Sequence, residues 1–430
     1  MYYISMRSLL LAASVALFLN VPAALAQLDN SSFYRLDDPV IGYTARQSVD
    51  LVADLNSKIQ DGAVQLTFDG ERGYLRSVLA ALNVPVESQI VAFSKTSGQV
   101  GLVNPQNPHA IYFNDTVAVG SVPGGFVELA AQDPQQGTIF YDLAQEKAGK
   151  PSFVRQNWCL GCHYTSVTSG VPGFFTRSMP TLADGNTVAY LSSKIANSRI
   201  DHRTPLAERW GGWYVTGQAD SFMQMGNLFV TRNSKSVVNN EPLVLDSLAG
   251  KFDINSFLSP YSDVAALLVF NHQTYLMNML TRMGWEERIG LADKREDLES
   301  LLKSAAAEIV DYMLFIDEAP LPVKMKGTSG FAEKFSAEGP FDSKGRSLRQ
   351  LDLNRRLMRY PCSYMIYTAA FDGLPIQARE AIYERMWRVL SGQEKDPKYT
   401  RLSLGDRQAV VEILRDTKKG LPAYFQPLTR

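Results

Sequence analysis

The run Cys159-Leu160-Gly161-Cys162-His163 carries the most specific chemistry in the chain. Two thiols three positions apart, followed at once by an imidazole, make the CxxCH pattern at which a c-type haem is attached. Each thiol bonds to an edge group of the ring, and the adjacent imidazole reaches the iron as its proximal ligand. Cys159, Cys162 and His163 are therefore the expected holders of one covalently attached haem c.

Two other chemistries use thiols at this spacing. Trp158-Cys159 followed by Cys162 echoes the WCxxC of a thiol-disulfide oxidoreductase. That motif needs a helix whose N-terminus lowers the pKa of the first thiol. The stretch that follows, residues 165–173, contains two Gly, a Pro and several β-branched residues and is a poor helix former. A structural zinc site would use Cys159, Cys162 and His163 and would need a fourth ligand, from His109, His202 or His272.

The second axial position of the iron sets potential and reactivity. A Met sulfur favours an electron carrier of fairly high potential, a second His lowers the potential, and an open position admits small oxidants. Met225, in Gln224-Met225-Gly226-Asn227, is the leading candidate, because its flanking Gly suits close approach of backbone to a ring. Met179 and His202 are alternatives, and Met223 lacks a flanking Gly. His272 reads as a satisfied helix residue, and Met279 and Met283 follow helical spacing as core residues. Trp210 and Arg177 are expected at the haem, and Arg203 and Arg209 are further candidates to pair with its propionates. The plainer reading makes the tryptophans core and the arginines solvated.

These residues must be carried to their place. Residues 1–26 read as a cleaved secretory signal: Arg7, an apolar run from Leu9 to Leu19, then Ala24-Leu25-Ala26 as the cleavage site. The apolar run is shorter than the roughly 20 residues that span a bilayer. No Cys follows the cleavage site and no later stretch is long and apolar enough for a transmembrane helix, so a periplasmic location without an integral membrane segment is expected. The chain has 43 basic and 44 acidic side chains, and this near balance argues against nucleic acid as a partner. With 3 cysteines, a disulfide framework is not the main source of stability, and Cys362 is expected to be buried and inert.

An α+β fold is expected, in three parts after the signal. Residues 27–150 form a mixed region with helices over 46–59 and 73–82. Short β-prone runs at 111–113, 116–119, 126–129 and 138–141 alternate with turn signals and predict a small antiparallel sheet. Residues 151–260, rich in Gly, Pro and aromatics, form an irregular haem-binding region. Residues 261–430 are helical, with spacing that predicts helices over 263–283, 288–315, 377–390 and 404–418. Ser403 and Asp406 predict a cap for the last helix, and 319–347 reads as a surface loop.

Several stretches together resemble a family of large, single-haem bacterial proteins described as cytochrome c domain-containing. They are Gly170-Val171-Pro172-Gly173 with Arg177-Ser178, His202-Arg203-Thr204-Pro205, and Arg209-Trp210-Gly211-Gly212-Trp213-Tyr214-Val215-Thr216-Gly217. Met225-Gly226-Asn227, Gly327-Thr328-Ser329-Gly330-Phe331, Arg359-Tyr360-Pro361-Cys362 and Leu414-Arg415-Asp416-Thr417-Lys418 continue the match over nearly the whole mature chain. The resemblance implies haem and export. Members carry His after the Val-Thr-Gly and just before the Met-Gly-Asn, where this chain has Gln218-Ala219 and Gln224, which leaves Met225 as the matching ligand candidate. The expectation is an exported c-type cytochrome that passes electrons to a redox partner protein. The alternatives are a haem oxidoreductase with an open or displaceable distal site, and a thiol-disulfide oxidoreductase.

Overall fold

The computed structural model describes residues 33–188, 199–234, 237–239 and 241–428, and the expected signal segment lies outside them. The fold is α+β, with an N-terminal antiparallel sheet and C-terminal helices.

Two helices come first. α1 (Leu51–Gln60) starts where Asp50 accepts hydrogen bonds from the amides of Val52 and Ala53 at 2.8 and 3.0 Å, satisfying two N-terminal donors. It buries Val52, Leu55 and Ile59, and α2 (Leu75–Ala81) buries Leu75, Val78 and Leu79. Six strands follow: β1 (Ile90–Ala92), β2 (His109–Phe113), β3 (Val117–Ser121), β4 (Val127–Asp133), β5 (Gly137–Leu143) and β6 (Val154–Arg155). A one-turn helix, α3 (Leu160–His163), precedes β7 (Trp213–Tyr214). The first sheet runs in the order β6-β5-β4-β3-β2-β1-β7, and every neighbouring pair is antiparallel.

All four β-prone runs fall in strands, but the sheet is wider than expected. β1, β6 and β7 have three, two and two residues, too few to show an alternation of their own. Their neighbours in space make them strands. β7 comes from the central region, which otherwise forms a small second sheet. Its β8 (Gly217–Ala219) and β9 (Leu243–Leu245) pair there with β10 (Met325–Lys326).

Alternation gives the large sheet two different faces. Tyr112, Val119, Leu129, Ile139 and Leu143 pack against α1 and α2 in one core. Ile111, Ala118, Ala130 and Phe140 point the other way, towards the long helix α4 (Val264–Ala292) and the CxxCH segment. α4 is buried along most of its length, and its N-cap Asp263 accepts from the amides of Ala265, Ala266, Thr328 and Ser329. The remaining long helices, α5 (Leu298–Met313), α8 (Ile376–Leu390) and α9 (Leu404–Thr417), surround the same core. The short α6 (Phe331–Ala337) and α7 (Ala369–Asp372) lie between them in sequence.

Three expectations change. The helix read over 46–59 begins only at Leu51, where Asp50 caps it. The helix read as starting at 288 begins at Leu298, because α4 continues to Ala292 and Lys294 then takes a left-handed conformation (φ 54°). The stretch 319–347 is not simply a surface loop. It contains β10 and α6, and Phe331 and Phe335 reach the core from between polar neighbours that obscured them. The cap at Ser403 is present: its Oγ accepts from the Asp406 amide at 3.0 Å and donates to the Asp406 carboxylate at 2.9 Å. Cys362 is fully buried, and burial pushes its thiol up to about 12. Among the described residues no helix is long and apolar enough to cross a membrane.

Glu318 gives this core a pH dependence. Its carboxyl is 4% exposed, accepts from the Leu357 amide at 2.7 Å, and is pushed from 4.5 up to about 7 by burial. The native state therefore holds the proton more tightly than the unfolded chain. Stability should fall as pH rises from 4.5 through about 7, by a contribution of about 3 kcal/mol. Denaturant unfolding of Glu318→Gln at pH 5 and pH 8 should lose that part of the slope. An unchanged slope would mean that Glu318 does not titrate in this range.

Candidate functional site

One helical turn assembles the motif. The amides of Cys162 and His163 both donate to the Cys159 carbonyl, at 3.1 and 2.9 Å. Residues three and four apart share one side of a helix, so both thiols and the imidazole project together. All three line one cavity of about 260 Å³, between the CxxCH turn and the open face of the large sheet.

His163 is held in a single state. Its Nδ1 lies 2.9 Å from the Gly173 carbonyl. A carbonyl only accepts, so Nδ1 carries the proton and Nε2 keeps its lone pair. Burial pushes the ring's pKa below its ordinary value, which favours this neutral form. The rings of Phe140 and Phe175 stand 4.9 and 4.7 Å from it and fix its plane. The Gly173 carbonyl is itself anchored. The Asn278 side chain, on α4, accepts from the Phe174 amide at 2.9 Å and donates to the Phe174 carbonyl at 2.6 Å. A Cβ at Gly173 would lie 2.2 Å from Asn278 Oδ1, so this approach requires glycine.

The sheet side of the cavity is built from small residues. Ala118 and Gly120 on β3 and Ala130 on the adjacent β4 form a floor, with Ala92 on β1 beyond Ile111 of β2. Glycine inside a strand often marks close approach of a ligand. Here a Cβ on Gly120 would come within 2.5 Å of His109 Nε2. Trp158, Phe174 and Trp213 stand around this floor. Glu128 and Asp142 face each other across β4 and β5 on the same side. Burial first, then the Glu128 charge, pushes the Asp142 carboxyl up to about 6. Arg177 also lines the cavity, its guanidinium 4.8 Å from the Phe175 ring, and its buried Nε has no hydrogen-bond partner.

These features fit the group that the motif implies. A flat apolar ring suits a floor of alanine and glycine between aromatic walls. The thiols stand at one edge, the locked imidazole offers a lone pair, and the unpartnered Arg177 Nε offers a donor to a carboxylate. Other arrangements fit less well. A reactive dithiol needs a lowered first pKa. The Cys159 thiol is instead pushed up to about 12, by burial and then by Asp142 and Glu128. Zinc needs convergent ligands, and among the described residues no group of three His, Cys, Asp or Glu side chains is placed to hold a metal ion. A haem makes no such demand, because its thiols bond to the ring edge and only one imidazole need reach the iron.

The remaining sequence candidates are elsewhere. Met225 is 1% exposed and its Sδ lies 3.7 Å from Ser178 Oγ, but it is not part of the cavity wall. Trp210 is fully buried at a positive φ of 71° in the helical core and does not line the cavity either. Arg209 donates to the carbonyls of Thr204 and His202, and Arg203 pairs with Asp201. His202 is buried rather than at the surface. Its Nδ1 lies 2.8 Å from Nδ1 of His272, whose Nε2 meets Ser363 Oγ at 2.7 Å. Met179 is tied by its amide to the Gly211 carbonyl. Met279 and Met283 are core residues, as expected.

Glu128, Asp142 and Gly120 were not singled out as parts of this site, and His109 was named only as a possible fourth ligand of a zinc site. The available signal was Gly120 following the β-prone run 116–119. No family model, no characterised protein and no solved structure matches the chain.

The raised Cys159 pKa and the exposure of Cys162 give an ordering of thiol reactivity. When the chain is made without haem, alkylation near pH 7.5 should label Cys162 first, with Cys159 at least about tenfold slower. Peptide mass mapping over time would check this. Faster labelling of Cys159 would revive the dithiol reading.

Proposed function

We propose that this chain is an exported c-type cytochrome that carries one haem and passes electrons to and from a redox partner protein in the periplasm. The observation that supports this most is the convergence of Cys159, Cys162 and a tautomer-locked His163 on one mostly apolar cavity. Cys159 and Cys162 would hold the ring by its edge, and His163 would bind the iron through Nε2. Bound there, a haem supplies one-electron exchange between ferric and ferrous iron. Phe140 and Phe175 keep the imidazole from turning, and the unpartnered Arg177 Nε would be free to pair with a propionate.

Electron transfer also needs a cofactor edge close to the surface. Cys162 is exposed and Trp158 is 50% exposed, so the attachment turn stands at the rim of the molecule. Exposed Val154 lies shortly before it in sequence. This rim favours electron exchange over a buried chemical centre. The resemblance to single-haem bacterial cytochromes points the same way.

The test is haem attachment. The chain is expressed with its leader in a host that matures c-type cytochromes, and its intact mass and visible spectrum are recorded. One haem on the wild type is expected. Cys159→Ala and Cys162→Ala should each lose most of the covalent haem, and the double variant all of it. A wild type without haem, or a double variant that still carries it covalently, would sink the proposal.

A further inference from the structure

We propose that His109 is the second axial ligand of the iron, so that the haem is held between two histidines. This rests on the haem reading above.

The position is set by the sheet. His109 opens β2, with Ala92 beside it on β1, and its side chain lies over Gly120 on β3 towards Glu128 on β4. On the cavity wall the residue types that ligate haem iron are His, Cys and Tyr; the Tyr141 hydroxyl donates to the Asp50 carboxylate at 2.7 Å, and no Met is present there. Cys159 and Cys162 are committed to the ring edge and His163 to the first axial position. His109 is what remains.

Its surroundings leave it available. His109 is 8% exposed and its Nε2 has no hydrogen-bond partner. An unsatisfied buried nitrogen is costly, and a metal bond would remove that cost. The nearest charged atom is Glu128 Oε2 at 3.4 Å, while Glu128 Oε1 accepts from Ser97 and Gln99. Burial keeps the imidazole in its neutral, ligating form. Gly120 is required beneath it, since any Cβ there would overlap the ring. The two histidines also approach from different elements. His163 stands beside Phe140 on β5 and His109 lies on β2, so Ala118, Gly120 and Ala130 lie between them. The floor of small residues is where a ring standing between two imidazoles needs room.

Two imidazoles with Glu128 and Asp142 nearby favour ferric iron, so the potential should lie below that of a His/Met cytochrome.

The experiment uses the haem-loaded protein. Covalent haem is measured first by mass, so that failure of attachment is separated from failure of ligation. Ferric wild type should give a low-spin optical and electron paramagnetic resonance spectrum without the far-red sulfur-to-iron band. His109→Ala should load haem and turn high-spin, and added imidazole should restore the low-spin spectrum. Met225→Leu should leave the wild-type spectrum unchanged. A loaded wild type that is high-spin or shows the sulfur band would overturn the proposal. So would a loaded His109→Ala that stays low-spin, or a Met225→Leu that turns high-spin. If His109→Ala accumulates no protein, the wild-type and Met225→Leu spectra decide by the same criteria.

Discussion

The hydrogen bond between His163 Nδ1 and the Gly173 carbonyl is the contact on which the site depends. It selects one tautomer, aims the other nitrogen into the cavity and couples the end of α3 to the loop at Gly173. It lasts because Asn278 holds the next residue, Phe174, by both amide and carbonyl. Asn278 is 1% exposed on a helix whose start is fixed by Asp263. A C-terminal helix thus orients a residue more than a hundred positions upstream. An imidazole supported in this way depends on the whole helical core, and loosening that core would loosen it.

The sheet meets the opposite need. Most of its buried positions carry large apolar side chains, yet Ala92, Ala118, Gly120 and Ala130 leave the cavity face bare. Close-packed interiors hold few spaces of this size. The polar groups beside it are also unusual. Asp142, Arg177 and His109 each bury an atom with no partner in the chain. Buried polar groups normally find partners, and three such atoms lie around this one cavity. The core formed by α1 and α2 on the far face carries the ordinary packing and keeps the sheet rigid behind this face.

Much of this was legible beforehand. The motif named the three residues that converge, and the alternation of four short runs named four central strands. Helical spacing located α8 and α9 to within a residue at each end. Arg177 was chosen for its charge near the motif and does line the cavity. Met225 and Trp210 were chosen with similar reasoning and do not. A flanking glycine and an aromatic cluster signal close packing in general, and here they serve the core around Ser178 and Phe222. His109 was legible only as a possible zinc ligand, because its place over Gly120 and beside Ala92 comes from the register of β1, β3 and β4 around β2.

The sequence by itself determined which residues share the CxxCH turn. Spacing within five residues is local, and one helical turn of known pitch converts it directly into geometry. It also determined the strands and helices long enough to show their period. What faces the imidazole across the cavity was decided only by tertiary structure. That depends on the register of four strands, on Asn278 reaching back to Gly173, and on which small residues fall on one face together. These are relations between distant segments, set by packing over the whole core.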